Sequence, residues 1–119
     1  MKASMDRPDE ARKSPRHPCY GPIDFRVDDW HITGKVINLC LDGCLIRPRQ
    51  RPVCSIGDNL DLRFEVNGLT FRAHCIVRWV GADHMVGVEI LLLSERGRRQ
   101  LSELIDQLAS LRKPSTLQR

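Results

Sequence analysis

Leu60-Asp61-Leu62-Arg63-Phe64-Glu65-Val66-Asn67-Gly68-Leu69-Thr70-Phe71-Arg72-Ala73-His74-Cys75-Ile76-Val77-Arg78-Trp79 is the stretch that decides the fold. Leu60, Leu62, Phe64 and Val66 alternate with Asp61, Arg63 and Glu65, the period of two that a half-buried strand requires. Beyond the break, Phe71, Ala73, Cys75, Val77 and Trp79 face one way, with Arg72, His74 and Arg78 facing the other. The break is Asn67-Gly68, a pair suited to a type I′ turn, whose two central residues both need positive φ. The stretch therefore reads as a β-hairpin with one face in a core.

The same alternation extends outward in both directions. Upstream, Ile23, Phe25 and Val27 alternate with Asp24, Arg26 and Asp28, and a second strand is expected over Ile32 to Leu39. Asn38 to Gly43 reads as a turn, Cys44 to Ile46 as a return strand, and residues 47–58 as a basic loop ending in Gly57-Asp58. Downstream, Gly81 to His84 is a turn and Met85 to Leu92 a closing strand. After Ser94 the period lengthens to about 3.6. Leu101, Leu104, Ile105, Leu108 and Leu111 then share one helical stripe, Ser94 suits an N-cap, and Pro114 ends the helix. Short strands followed by one amphipathic helix predict a mainly β fold, a small barrel with a C-terminal α-helix packed on it. Residues 1–18 are polar, hold three prolines and read as a flexible basic arm. The expected organisation is an arm over 1–18, a barrel over 19–93, a helix over 94–113 and a disordered tail over 114–119.

The chain has 119 residues and a net charge of +4, with a pI near 9.0. This length suits one domain that folds without staples. No apolar run approaches the roughly 18 residues of a membrane span, and the first residues hold no apolar signal core. A cytoplasmic protein without membrane insertion is expected. Its cationic residues are mostly arginine, whose planar fork suits phosphate and guanine. Five cysteines cannot all pair, and reduced thiols acting as small core hydrophobes are expected. No Cys-x-x-Cys is present, so neither metal nor cofactor is expected. There is no phosphate loop, no G-x-S-x-G and no H-E-x-x-H, and nothing marks a nucleophile, so the chain does not read as an enzyme.

Two features carry chemistry. Arg12-Lys13-Ser14-Pro15-Arg16 places two guanidiniums on a tether before the first strand, where they can close on phosphate oxygens or a guanine edge. Asn38-x-Cys40-x-x-Gly43, at a strand exit, offers an amide with donor and acceptor and a glycine that allows close backbone approach. Each alone is also what a solvated tail or an ordinary strand-exit turn looks like.

Together, in this order, they resemble the PilZ domain family, whose pattern is R-x-x-x-R before the first strand and (D/N)-x-S-x-x-G after the second. Ile56-Gly57-Asp58 is similar to the family's loop before its central hairpin, and Val86-Gly87-Val88-Glu89-Ile90 to its closing strand. The resemblance covers roughly residues 10–110. It implies a six-stranded antiparallel β-barrel and a bacterial receptor for cyclic di-GMP. It further implies that Arg12 and Arg16 contact guanines and phosphates, Asn38 bonds a base, position 40 adds a small polar contact and Gly43 leaves room for the ring. Ordering of the arm would then pass the signal to an effector protein, with the chain a monomer. His17, beside the arm, and Trp79, beside Arg78, are secondary candidates for the ligand site. Cys40 departs from the pattern, a thiol standing where the family has serine. A degenerate, nucleotide-independent adaptor of the same fold is the alternative reading. A nucleic-acid binder using Arg47, Arg49 and Arg51 is a third, disfavoured by the scarcity of aromatic residues for stacking.

Overall fold

The computed structural model describes residues 15–27, 29–50 and 54–111. Arg12, Arg51, most of the expected arm and the tail after Leu111 lie outside them. The described chain forms β1 (His17–Val27), β2 (Trp30–Cys40), β3 (Gly43–Pro48), β4 (Asn59–Val66), β5 (Leu69–Val80), β6 (Val86–Leu92) and α1 (Glu95–Leu111). The strands close an antiparallel barrel in the order β1-β2-β3-β6-β5-β4, with β1 pairing back to β4. This is the six-stranded barrel with a C-terminal helix that the sequence predicts.

The deciding hairpin forms with every residue of β4 paired to β5, from Asn59↔Ile76 to Val66↔Leu69. Asn67 and Gly68 sit at φ 53° and 81°, as a type I′ turn demands. Phe64 and Phe71 face each other across the pair, rings stacked at 4.9 Å between centroids. Inward residues of all six strands join Leu101, Leu104, Ile105 and Leu108 of α1 in one core. Ser94 caps the helix: its Oγ accepts from the Gly97 N–H at 3.0 Å. No helix among the described residues is long and apolar enough to cross a membrane.

Four sequence expectations are corrected. The first strand begins at His17, earlier than the alternation from Ile23 suggests, because Pro18 and Pro22 hide it. It tolerates them because both precede the segment Ile23 to Arg26 that pairs with β4, so each faces a paired strand on one side only, and Pro18 adjoins an irregularity before Gly21. Arg47 and Pro48 belong to β3, paired with Lys35 and Gly34, so the connecting loop starts at Arg49. Leu111 is 69% exposed, since it ends the helix beyond the barrel wall. Trp79 does not share the inward face of Val77, for a reason that bears on the site below.

All five cysteines are free thiols. Burial pushes the Cys19 thiol up to about 11. Cys75 reaches about 12, through burial and then the nearby Asp61 carboxylate. Burial likewise carries Cys44 well above the ordinary thiol value. Thiolate, not thiol, is the nucleophile. At pH 8, alkylation of Cys19 and Cys75 by iodoacetamide is therefore expected to lag free cysteine by about a hundredfold or more. Labelling at the free rate, read by mass spectrometry, would mean that the barrel opens readily.

Candidate functional site

The site residues lie on the outside of the barrel, where β2, β3, β6 and β5 run side by side. Two bulges put them there. Along β2, Val36 pairs with Ile46 but Asn38 pairs with Leu45, so Ile37 is an extra residue. Without it Asn38 would share the inward face of Val36. With it, Leu39 points into the core and Asn38 outward. Along β5, Val77 pairs with Val88 but Trp79 pairs with Gly87, so Arg78 is the extra residue and Trp79 also turns out. Sequence alternation alone places Trp79 inside; the bulge leaves it 40% exposed.

The outward residues then align in one row across five strands: Pro18, Asn38, Leu45, Gly87 and Trp79, each the register partner of the next. Gly87 keeps the row flat. A Cβ there would stand 3.4 Å from Trp79 Cβ and 4.0 Å from Leu45 Cδ1. The indole thus lies along the sheet next to the Leu45 methyls. It also lies against Gly81, where a Cβ would collide with the ring. The result is an apolar shelf with an amide at one end.

Asn38 Oδ1 is buried and has no hydrogen-bond partner among the described residues. A buried acceptor left unpaired costs about 1–3 kcal/mol, so it asks for a donor. His17 carries the second such atom, its Nδ1. His17 pairs with Leu39 and shares its inward side, with 7% of its surface exposed, whereas Arg16, one residue earlier, is exposed. Since His17 opposes Leu39, the chain at Arg16 enters beside the Leu39–Cys40 end of β2. Cys40 pairs with Gly43 across the Leu41-Asp42 turn and is 7% exposed. The Ile90 N–H donates to the Asp42 carbonyl at 2.7 Å, tying that turn to β6. Gly43 lies against β6, where a Cβ would collide with the Val88 carbonyl oxygen.

Arg16, Asn38, Cys40 and Gly43 therefore share one end of the β2–β3 hairpin, with Trp79 at the far end of the shelf. His17 adjoins the group but faces inward. Cationic groups border the shelf: Lys35 pairs with Arg47 one row along, its ammonium 5.4 Å from the Tyr20 ring centre. On the other side the Arg78 guanidinium pairs with Glu89 at 2.7 Å. Leu45 and Gly87 escaped sequence reasoning. Leu45 is an unremarkable strand residue, and the only signal for Gly87 was its place in the closing-strand segment Val86–Ile90.

A family model described as the PilZ domain matches residues 10–107. No curated protein sequence matches the chain. Among solved structures, the chain is similar to YcgR from Escherichia coli in complex with c-di-GMP, at 13% identity and a TM-score of 0.73. That match covers 88% of this chain and 49% of YcgR, so the chain spans about half of that protein's length. It is similar to the PilZ domain of CeSA from a cellulose-synthesizing bacterium at 15% identity, TM-score 0.63, over 81% of this chain and 99% of that one. The Bacillus subtilis inhibitor of motility, MotI/DgrA, matches at 14% identity and TM-score 0.67, over 86% of this chain and 52% of that one. At such identities the likeness is one of fold.

Proposed function

The chain belongs to the PilZ domain family, and from that membership we propose that it is a receptor for cyclic di-GMP that signals to a partner protein by contact. The observation that carries the reading is the buried, unpartnered Oδ1 of Asn38 at the end of an apolar shelf. An orphan acceptor calls for a donor, and a guanine edge supplies N–H donors beside a flat ring. The YcgR structure bound to c-di-GMP supports the choice of nucleotide.

In this reading Arg16 and Arg12 hold phosphates and guanine edges through paired hydrogen bonds. Asn38 Oδ1 accepts from a guanine N–H. Trp79, with Leu45, gives a purine face a surface to stack on, a contact of about 1–3 kcal/mol per base. Drawing the arm onto the barrel would convert ligand occupancy into a new surface that a partner can read.

Cys40 gives the experiment. A thiol is a weaker hydrogen-bond donor than a hydroxyl. Restoring one hydrogen bond of about 0.5–1.5 kcal/mol should tighten binding about two- to tenfold. Calorimetric titration of the wild-type chain and Cys40→Ser with c-di-GMP, GTP serving as control, is expected to show saturable binding that strengthens in the variant. Binding to neither protein would overturn the receptor reading in favour of the nucleotide-independent adaptor. Equal binding to both would remove position 40 from the contact set.

A further inference from the structure

Away from the Asn38–Trp79 row, the outer faces of β2, β1, β4 and β5 form an open groove. Two rows of side chains floor it. His31, Arg26, Asp61 and His74 are successive partners across the four strands; in the next row Asp24, Arg63 and Arg72 are. Both acids are already engaged. Asp24 takes Arg63 at 2.9 Å and His31 at 3.3 Å, and Asp61 takes His74 at 3.0 Å. Arg26 and Arg72 have no partner among the described residues. Arg72 also stands directly opposite Arg63, a like-charge pairing that disfavours the sheet. Three arginines stand against two aspartates, and Arg26 and Arg72 are the cations left for a negatively charged partner.

The occupant follows from shape and charge. A small ligand is held by burial of most of its surface, and this groove is open with exposed walls. The barrel is closed, so these strands offer no edge for an added strand and recognition must pass through side chains. Arg26 on β1 and Arg72 on β5 flank β4, opposite Asp61 and Arg63 respectively, which sets their Cα atoms about 12 Å apart at the usual strand spacing and rise. Carboxylates four residues apart on one face of an extended chain, about 13 Å, match that separation. We propose that this groove is the docking surface for an acidic, extended segment of a partner protein, whose carboxylates pair with Arg26 and Arg72. The inference stands independently of nucleotide binding.

The test uses the ¹⁵N-labelled chain and the peptide acetyl-Thr-Glu-Thr-Glu-Thr-Glu-amide at low salt, read by amide shifts. Saturable shifts are expected at residues 24–26, 61–63 and 72–74, and none at Asn38 or Trp79. The double variant Arg26→Glu/Arg72→Glu should bind at least tenfold more weakly. It should melt close to wild type, because a glutamate at 72 would face Arg63 as an opposite charge while one at 26 would face Asp61 as a like charge. A peptide with Gln in place of Glu should leave the spectrum unchanged. The proposal is overturned by shifts that are absent or fall elsewhere, or by the Gln peptide binding equally. Inorganic pyrophosphate moving the same amides at equal or lower concentration would also overturn it, making this a small-oxyanion site. So would the same amides moving when the chain alone is concentrated, making a second copy the occupant.

Discussion

Replacing Arg16 with alanine is expected to weaken c-di-GMP binding at least a hundredfold while leaving the barrel folded. Hydrogen bonds from a charged group contribute about 1.5–3 kcal/mol each, and a guanidinium makes them in pairs. Loss of two corresponds to about 3–6 kcal/mol, two orders of magnitude or more in affinity. The side chain is exposed and precedes β1, outside the core. The cost to folding should stay within about 0.5 kcal/mol. Lysine at this position should restore only a small part of the loss, because a point charge cannot reproduce a planar fork. Calorimetry and a thermal melt on the same preparations separate the two effects. A variant that binds like wild type would remove Arg16 from the site, and with it the residue-by-residue transfer of the family motif.

Gly43→Ala is expected to act on the fold itself. The resemblance implies that this glycine leaves room for the ligand, but the barrel needs it with or without one. An added Cβ would collide with the Val88 carbonyl oxygen and come within 3.1 Å of Glu89 Cα. Both are backbone atoms of β6, so no side chain can swing aside. β3 meets β6 through only four residue pairs, from Gly43↔Glu89 to Ile46↔Val86, and relieving the collision means parting the strands there. Inserting a group into packing of this kind costs about 1–3 kcal/mol, and here the upper end is expected. Urea unfolding should show a midpoint lowered accordingly at unchanged slope. An unchanged midpoint would show that β3 shifts freely and leave Gly43 with a ligand role alone.

The parts of the structure that local pattern controls were legible in the sequence. The β4–β5 hairpin follows from alternation and Asn67-Gly68, and α1 from the leucine stripe and Ser94. What escaped depends on pairing between strands. The extra residues at Ile37 and Arg78 exist only in register with β3 and β6, and nothing in the chain's own period announces them. Yet these two bulges build the site, by turning Asn38 and Trp79 onto one outer face. Without knowledge of pairing, Trp79 counts as core and Asn38 as a turn residue, Leu45 carries no mark, and Gly87 is marked only as part of the closing strand. The start of β1 escaped for a different reason, because prolines at 18 and 22 argue against a strand until its irregular pairing with β2 is seen. The family motif named Arg16, Asn38, Cys40 and Gly43 by position; the fold then brought them to one end of the β2–β3 hairpin. Arg12 lies outside the described residues, so its part in the site rests on the motif.

The central claim is that one outer row, from the Arg16 entry to Trp79, receives a guanine nucleotide. Amide shift mapping of the ¹⁵N-labelled chain against c-di-GMP, with GTP in parallel, tests it most directly. The account predicts saturable shifts at Arg16, Asn38, Cys40, Gly43, Leu45 and Gly87 and at the Trp79 indole, with residues 61–63 in the opposing groove unmoved. A saturating titration that leaves Asn38 and Trp79 where they were would contradict it.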